Sequence, residues 1–326
     1  MTFDDIARDL GVSKSTVSRA LSGKGRIGEE TRNRIIAYAN HQKREEEKEQ
    51  KGELTHNLGV VFPEDVYVNG NPYFHDCLLG ICETAAILDY NVLLATGTAM
   101  DISKIQKLVE KKKVDGIILT RSLENDKAIE YLLKQNFPVG LTGLYEDERV
   151  IQVDTDNESA AENMTSLLIS KGFRRFALLV EDLDYHVNRS RYDGFQKALL
   201  KNGIGMEHQA VYTGNLKMDS LDSILADMMS KKVQCVLCGD DIVCTKVMSK
   251  LQADGYRIPR DIAIAAFYNS QNLESFSPPI TAVNISARQI GNTIGKQMIS
   301  ALQGKEYQKK TFVDFEILFR KSTNQV

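Results

Sequence analysis

The chain of 326 residues contains no run of about 18 consecutive apolar residues, so it offers no candidate membrane helix. Its opening "MTFDDIARDL" is acidic and lacks the apolar stretch that marks a signal peptide. The expectation is a cytoplasmic protein without a membrane partner. Five cysteines, an odd number in a long chain, fit reduced thiols better than a disulfide framework. "CVLC" (235–238) has the spacing of half a metal site, but no second pair follows, and the two read as core thiols of a buried strand. His41, His56, His75, His186 and His208 are scattered, with no H-x-x-H pair. "GNTIG" (291–295) lacks the Gly-Lys-Ser/Thr of a phosphate loop and lies within a helical pattern. No Ser/His/Asp or Cys/His constellation stands out. No catalytic residue, metal site or cofactor is expected.

What is present is a charge split. The formal net charge is −3, too acidic for a protein coated in nucleic acid. Residues 1–44 hold nine Lys/Arg against five Asp/Glu, or +4, which leaves the remainder with 32 against 39, or −7. A small basic head on an acidic body points to a polyanion met by the head alone.

The head reads as three short helices. Thr2 can cap a helix over "FDDIARDL", with Phe3, Ile6, Ala7 and Leu10 on one face and Asp4 and Asp5 in the first turn. Gly11 ends it, Ser13 caps a second helix to about Leu21, and Gly23 and Gly25 break that one. Glu29 to about Asn40 predicts a third, with Ile35, Ile36 and Ala39 inward. The second helix, "SKSTVSRAL", is short of apolar residues and rich in hydroxyls and cations. Two short helices joined by a tight Gly-containing turn form a helix-turn-helix, whose second helix enters the major groove. A plain three-helix bundle with a Ser-rich exposed face gives the same pattern.

The order of residues adds to this. "FDDIARDLGVSKSTVSRALSG" followed by "EETRNRI" strongly resembles the head of the LacI/GalR family of bacterial transcription repressors. The resemblance implies that Lys14, Ser15 and Arg19 face base edges. It implies that Ser13, Thr16, Ser18 and Thr31 hold or adjoin phosphates of double-stranded operator DNA. Gly28 stands where the family usually has a Ser cap.

From Asn57 onward short apolar runs alternate with amphipathic stretches. Strands are predicted at 57–63, 91–97, 115–120, 138–143, 150–155, 174–180, 209–214, 235–239, 262–268, 281–286 and 312–319. Helices such as 75–90, 156–172 and 287–302 lie between them. The alternation implies parallel sheets covered on both faces, and eleven strands imply two lobes. "VDGIIL", "VDTDN", "RYDGFQKAL", "IPRDIAIAAF" and "SPPITAV" follow family order. The resemblance therefore implies an all-α helix-turn-helix head plus an α/β, two-lobed, periplasmic-binding-protein-like core. The boundaries expected are 1–41 for the head, 42–56 for an atypical charged linker and 57–326 for the core. One lobe takes about 57–156 and 287–315, the other 157–286 and 316–326.

In open α/β sheets ligands gather where strand C-termini converge. By resemblance Arg191 and Asp240 are cleft residues, Tyr73 and Phe74 a cleft wall, and Asp241 reads equally well as a helix cap. Tyr268 stands where the family often has a sugar-binding Asp, and Leu216 where it often has a stacking aromatic. Both changes remove ordinary hexose features. The effector expected is a modified or phosphorylated sugar, a non-sugar metabolite, or none, with a partner protein as the alternative signal. Leu78, Leu79, Ile81, Cys82, Ala85 and Ala86 carry more apolar surface than one sheet face requires, and resemblance makes this helix a homodimer contact. The segment "HQKREEEKEQKGELTHN" (41–57) departs most. It lacks the usual hinge, and Lys43–Glu47 and Glu47–Lys51 pair at i,i+4, so it reads as a solvated linker or an extension of the third helix.

Overall fold

The structure is a computed structural model that describes residues 2–23, 25, 27–51, 54–64, 71–214, 216 and 218–324. Of 41–51 and 218–219 it describes the backbone alone. The chain divides into two compact units, residues 1–55 and 56–326.

In the first unit α1 (Phe3–Leu10), α2 (Lys14–Ser22) and α3 (Glu29–Lys51) follow the signals in the sequence. Thr2 closes a capping box with Asp5, whose carboxylate accepts from the Thr2 backbone N–H at 2.9 Å. Ser13 Oγ accepts from the Thr16 N–H at 3.2 Å. Gly11 and Gly23 take the left-handed conformation, at φ 67° and 72°, that ends the first two helices. Ile6, Ala7, Val17, Ala20 and Ile35 form a small core. Phe3 and Ile36, expected inside, are exposed, because a head of three helices encloses too little volume for a second layer of large side chains. The segment expected as a charged linker is helical as far as Lys51, consistent with its i,i+4 charge pairs.

Among the described residues the second unit holds two six-stranded sheets. The first lobe runs β1 (Asn57–Pro63), α4 (Pro72–Ile87), β2 (Asn91–Gly97), α5 (Ser103–Glu110), β3 (Gly116–Leu119), α6 (Lys127–Lys134), β4 (Val139–Thr142) and β5 (Ile151–Asp154). The second runs α7 (Asn157–Ser170), β6 (Phe176–Leu179), α8 (His186–Lys201), β7 (Gln209–Tyr212), α9 (Met218–Ser230) and β8 (Cys235–Cys238). It continues through α10 (Asp241–Ala253), β9 (Ala263–Ala266), α11 (Gln271–Ser275) and β10 (Thr281–Ile285). The chain then returns through α12 (Ala287–Leu302) and β11 (Lys310–Phe312) to the first sheet, and ends with β12 (Phe315–Leu318) in the second.

The sheet orders are β2-β1-β3-β4-β5-β11 and β7-β6-β8-β9-β10-β12. All pairs are parallel except β10–β12. The single strand expected at 312–319 is therefore two, one in each sheet. Val313 is buried and its N–H donates to the Asp154 carbonyl, continuing the β11–β5 pairing. Exposed Asp314 then carries the chain across. The chain passes between lobes at three short places: 155–156, Ser286 and 313–314.

Each lobe packs one pair of helices backbone to backbone. A Cβ on Gly80 of α4 would overlap the Arg288 carbonyl of α12, and one on Gly194 of α8 would overlap the Glu158 carbonyl of α7. The "GNTIG" glycines serve the same contact, with Gly291 and Gly295 facing α4. Cys235 and Cys238 point to opposite faces of β8 into two different cores. All five thiols are free, and burial pushes the Cys77 thiol up to about 12.

Candidate nucleic-acid interface and ligand cleft

Lys14, Ser15, Ser18 and Arg19 are all exposed on α2. Their spacings of three and four residues put them side by side on one face. Thr16 and Thr31 are half-buried. Ser13 is exposed and occupied as a cap, its Oγ 2.8 Å from Thr16 Oγ1 and 2.9 Å from Ser15 Oγ. Lys14 Nζ donates to Asp4 at 2.6 Å, an exposed ion pair that a phosphate or base edge could displace at small cost. The stem of Arg19 runs beside Gly25, where a Cβ would lie 3.2 Å from its Cδ. Two other arginines of the head serve the fold. Arg34 donates to the Leu10 carbonyl at 2.7 Å, and Arg32 to the Gly25 carbonyl at 3.2 Å.

In the core, a cleft of about 180 Å³ opens where the strand C-termini of both lobes meet. Tyr73, Phe74, Arg191, Asp240 and Tyr268 all line it. Tyr73 stands edge-on to Phe74 at 5.2 Å and to Tyr268 at 5.7 Å between ring centroids, a continuous aromatic wall. Burial pushes the phenols of Tyr73 and Tyr268 above their ordinary range. Arg191 is buried and its Nε has no partner among the described residues. Burial lowers its pKa, and the charges of Asp240 and Asp154 act in the other direction.

Both aspartates of the turn after β8 line the cleft, and the cap is Asp240 and not Asp241. Asp240 is the cap of α10, accepting from the Val243 N–H at 2.8 Å. Asp241 is buried in the cleft, and its Oδ1 has no hydrogen-bond partner among the described residues. Leu216 lies elsewhere: it is buried with Leu221, Leu225 and Val243 in the core of the second lobe and does not line the cleft. An apolar side chain at that position gains more from the core than from a polar cleft.

One end of the cleft is spanned by main chain. Leu123 and Tyr185 pair across the lobes, Glu124 N–H donates to the Asp184 carbonyl at 3.3 Å, and His186 N–H to the Ser122 carbonyl at 3.4 Å. The Arg121 guanidinium sits 4.5 Å from the centre of the Tyr185 ring.

Residues 2–41 match the profile of the bacterial regulatory proteins of the lacI family, and residues 165–323 that of a periplasmic binding protein-like domain. The chain resembles LacI-family regulators over its whole length. It is 26% identical to the transcriptional regulator RegA of Clostridium saccharobutylicum over 99% of both chains. It is 28% identical to the regulator MalR of Staphylococcus xylosus over 93% of this chain and 92% of that one. The fold is shared with the regulator CelR in its complex with cellobiose, with a TM-score of 0.74 at 22% identity over 99% of both chains. With that head and these relatives the chain is a DNA-binding transcriptional regulator, not an enzyme. Among the described residues no helix is long and apolar enough to cross a membrane.

Several cleft residues escaped the sequence reading. Asp154, at the end of β5, accepts from the Thr155 N–H at 2.7 Å and from Asn157 Nδ2 at 3.1 Å. Burial raises its pKa to about 6. Thr142 and Thr155 present buried hydroxyls without hydrogen-bond partners among the described residues. All three close a β-strand or follow it directly, and that position was the signal available.

The expected dimer residues divide. Ile81 and Ala85 are buried in their own subunit's core, where they face inward from α4. Leu78 is partly buried against the same core, and Cys82 is half-buried. The exposed apolar residues of α4 are Leu79, Ala86 and Ile87, with Leu94 on the neighbouring edge strand β2.

Proposed function

We propose that this regulator represses transcription as a homodimer on a palindromic operator and answers to a small metabolite held between the lobes of its core. The observation that carries the effector reading is the set of unpartnered polar atoms in one cleft: Arg191 Nε, Asp241 Oδ1, Thr142 Oγ1 and Thr155 Oγ1. Buried polar groups in native proteins are overwhelmingly paired, so four orphans around one cavity fit a site whose remaining partners come from a ligand. Arg191, Asp240, Tyr73, Phe74 and Tyr268 are its first contacts, and Asp154 and Asp241 join them.

On the DNA side, Lys14, Ser15 and Arg19 read base edges, while Ser13, Thr16, Ser18 and Thr31 hold phosphates. Dimerisation supplies two such faces about one helical turn apart. The exposed apolar strip of Leu79, Ala86, Ile87 and Leu94 favours a contact there in place of the buried Ile81 and Ala85. Sedimentation of the full chain at micromolar concentration is expected to give a dimer, and Ile87→Asp a monomer.

The decisive experiment is selection of bound DNA from a random pool, repeated with a metabolite panel. A palindromic consensus released by one metabolite supports the reading. Arg191→Ala is expected to abolish that release while operator affinity stays within a few-fold. Release by a partner protein alone, with no metabolite active, would favour protein control.

A further inference from the structure

The carboxylates of the cleft outnumber its cations. Asp154, Asp240, Asp241 and Glu181 line it, against Arg121 and Arg191, and Glu181 has a cation of its own in Lys246, whose Nζ lies 3.9 Å from it. The Arg121 guanidinium is stacked on Tyr185. The charge of Arg191 acts on Asp240 and Asp154. Asp241 is left over. It is 2% exposed and its Oδ1 has no hydrogen-bond partner among the described residues; burial and the like charge of Asp240 oppose its ionised form, and the neutral hydroxyl of Ser270 and nearby backbone N–H groups favour it without supplying a countercharge. Such a group requires a hydrogen-bond donor, and a charged one satisfies it best. Tyr73, Phe74 and Tyr268 add ring faces and edges to the same wall, and ring faces attract cations.

Resting on the reading of this cleft as the effector site, we propose that the effector is an aminated polyol whose ammonium group is held by Asp241, and that phosphorylated ligands are rejected. The polyol part answers the other orphans. Hydroxyls of the ligand pair with Thr142 Oγ1 and Thr155 Oγ1, and the Arg191 Nε–H donates to a ligand oxygen. An unmodified sugar leaves the Asp241 charge unmatched. A phosphate dianion meets a lining with more carboxylates than guanidiniums, and the charges of Asp240 and Asp154 already act on the Arg191 guanidinium.

The test is calorimetry at pH 7 on the full chain with nine compounds: glucose, galactose and mannose, their 2-amino derivatives and their 6-phosphates. At least one amino sugar is expected to bind about tenfold or more tighter than its parent, and the 6-phosphates to give no binding. Asp241→Asn is expected to erase the amino preference and leave the parent sugar's affinity unchanged. Circular dichroism checks that the variant folds, and the wild-type ranking stands without it. Tightest binding by a 6-phosphate overturns the proposal while leaving metabolite control standing. Equal binding of amino and parent sugars, or no binding by any of the nine, overturns it as well. Metabolite control itself is judged by the Arg191→Ala release experiment.

Discussion

Gly291 lies directly against the carbonyl of Cys77, so close that a methyl group there would overlap the carbonyl oxygen. The obstacle is backbone on a neighbouring helix, and it cannot rotate away. Gly291→Ala is therefore expected to destabilise the core by about 1–3 kcal/mol or more, outweighing the gain of about 1 kcal/mol in helix propensity. Gly295→Ala is the control, since its nearest neighbour would be Thr84 Cβ at 3.4 Å, an ordinary contact. Urea unfolding should leave Gly295→Ala near or above the wild type. Equal losses at both positions would contradict the packing argument.

Asp154 gives a pH signature. Its carboxyl titrates near 6 in the folded protein against an ordinary 3.8. A raised carboxylate pKa means that ionisation costs stability in the fold. The cost is absent below about pH 4, grows between 4 and 6, and is complete above 6. Asp154→Asn removes it and can still accept from Thr155 and Asn157. At pH 7.5 the variant should be more stable than the wild type by about 1–3 kcal/mol, the upper figure following from about 1.4 kcal/mol per unit. The loss of an anion near Arg191 works in the opposite direction. At pH 4 the difference should vanish. Melts at pH 4, 5, 6 and 7.5 measure it, and a difference independent of pH would count against this account.

Arg19 stands exposed beside Lys14, Ser15 and Ser18. Arg19→Ala should cost about 1–3 kcal/mol on the selected operator and relax the preference at one base position of each half-site. Affinities across single-base operator variants read this out. A uniform loss over all sequences would make Arg19 a phosphate contact instead.

The charged segment after the head bears on how the DNA is shaped. The helix that begins at Glu29 continues to Lys51, about 35 Å at 1.5 Å per residue. Leu54 is the one candidate wedge beyond it, and it follows Glu53 directly. Glutamates close to phosphates repel them, whereas wedge insertion trades unstacking for new contacts that this segment does not offer. Little operator bending is expected in circular-permutation gel shifts, and Leu54→Ala should leave affinity within a few-fold. A sharp central kink would refute both.

Features that depend on neighbours in the chain were legible in the sequence. The caps at Thr2 and Ser13 and the left-handed Gly11 and Gly23 answer local rules, and the strand–helix alternation announced two lobes built on mainly parallel sheets. Features that depend on burial from a distance were not. Ile81 and Leu79 are both apolar residues of α4, and only the presence of α12 and the sheet decides which of them is covered. Asp240 and Asp241 are adjacent and chemically identical; both reach the cleft, and the direction of the first turn of α10 makes Asp240 the cap and leaves Asp241 the buried one. Leu216 resembled a cleft residue by position, and the apolar surroundings supplied by α9 and α10 claimed it. Two strands passed for one at 312–319 because an apolar run does not reveal a change of sheet.

The chain crosses between lobes at 155–156, Ser286 and 313–314, and any rotation of one lobe against the other must be absorbed by backbone torsions in those few residues. Thr155 belongs both to that axle and to the wall of the cleft, and Asp154 is tied to it by the Thr155 N–H and to the return crossing by the Val313 N–H. A molecule gripping the Thr155 hydroxyl would thus press on the pivot itself. The distance over which binding has to be communicated to lobe angle is one residue, and no relay through the body of either lobe is required.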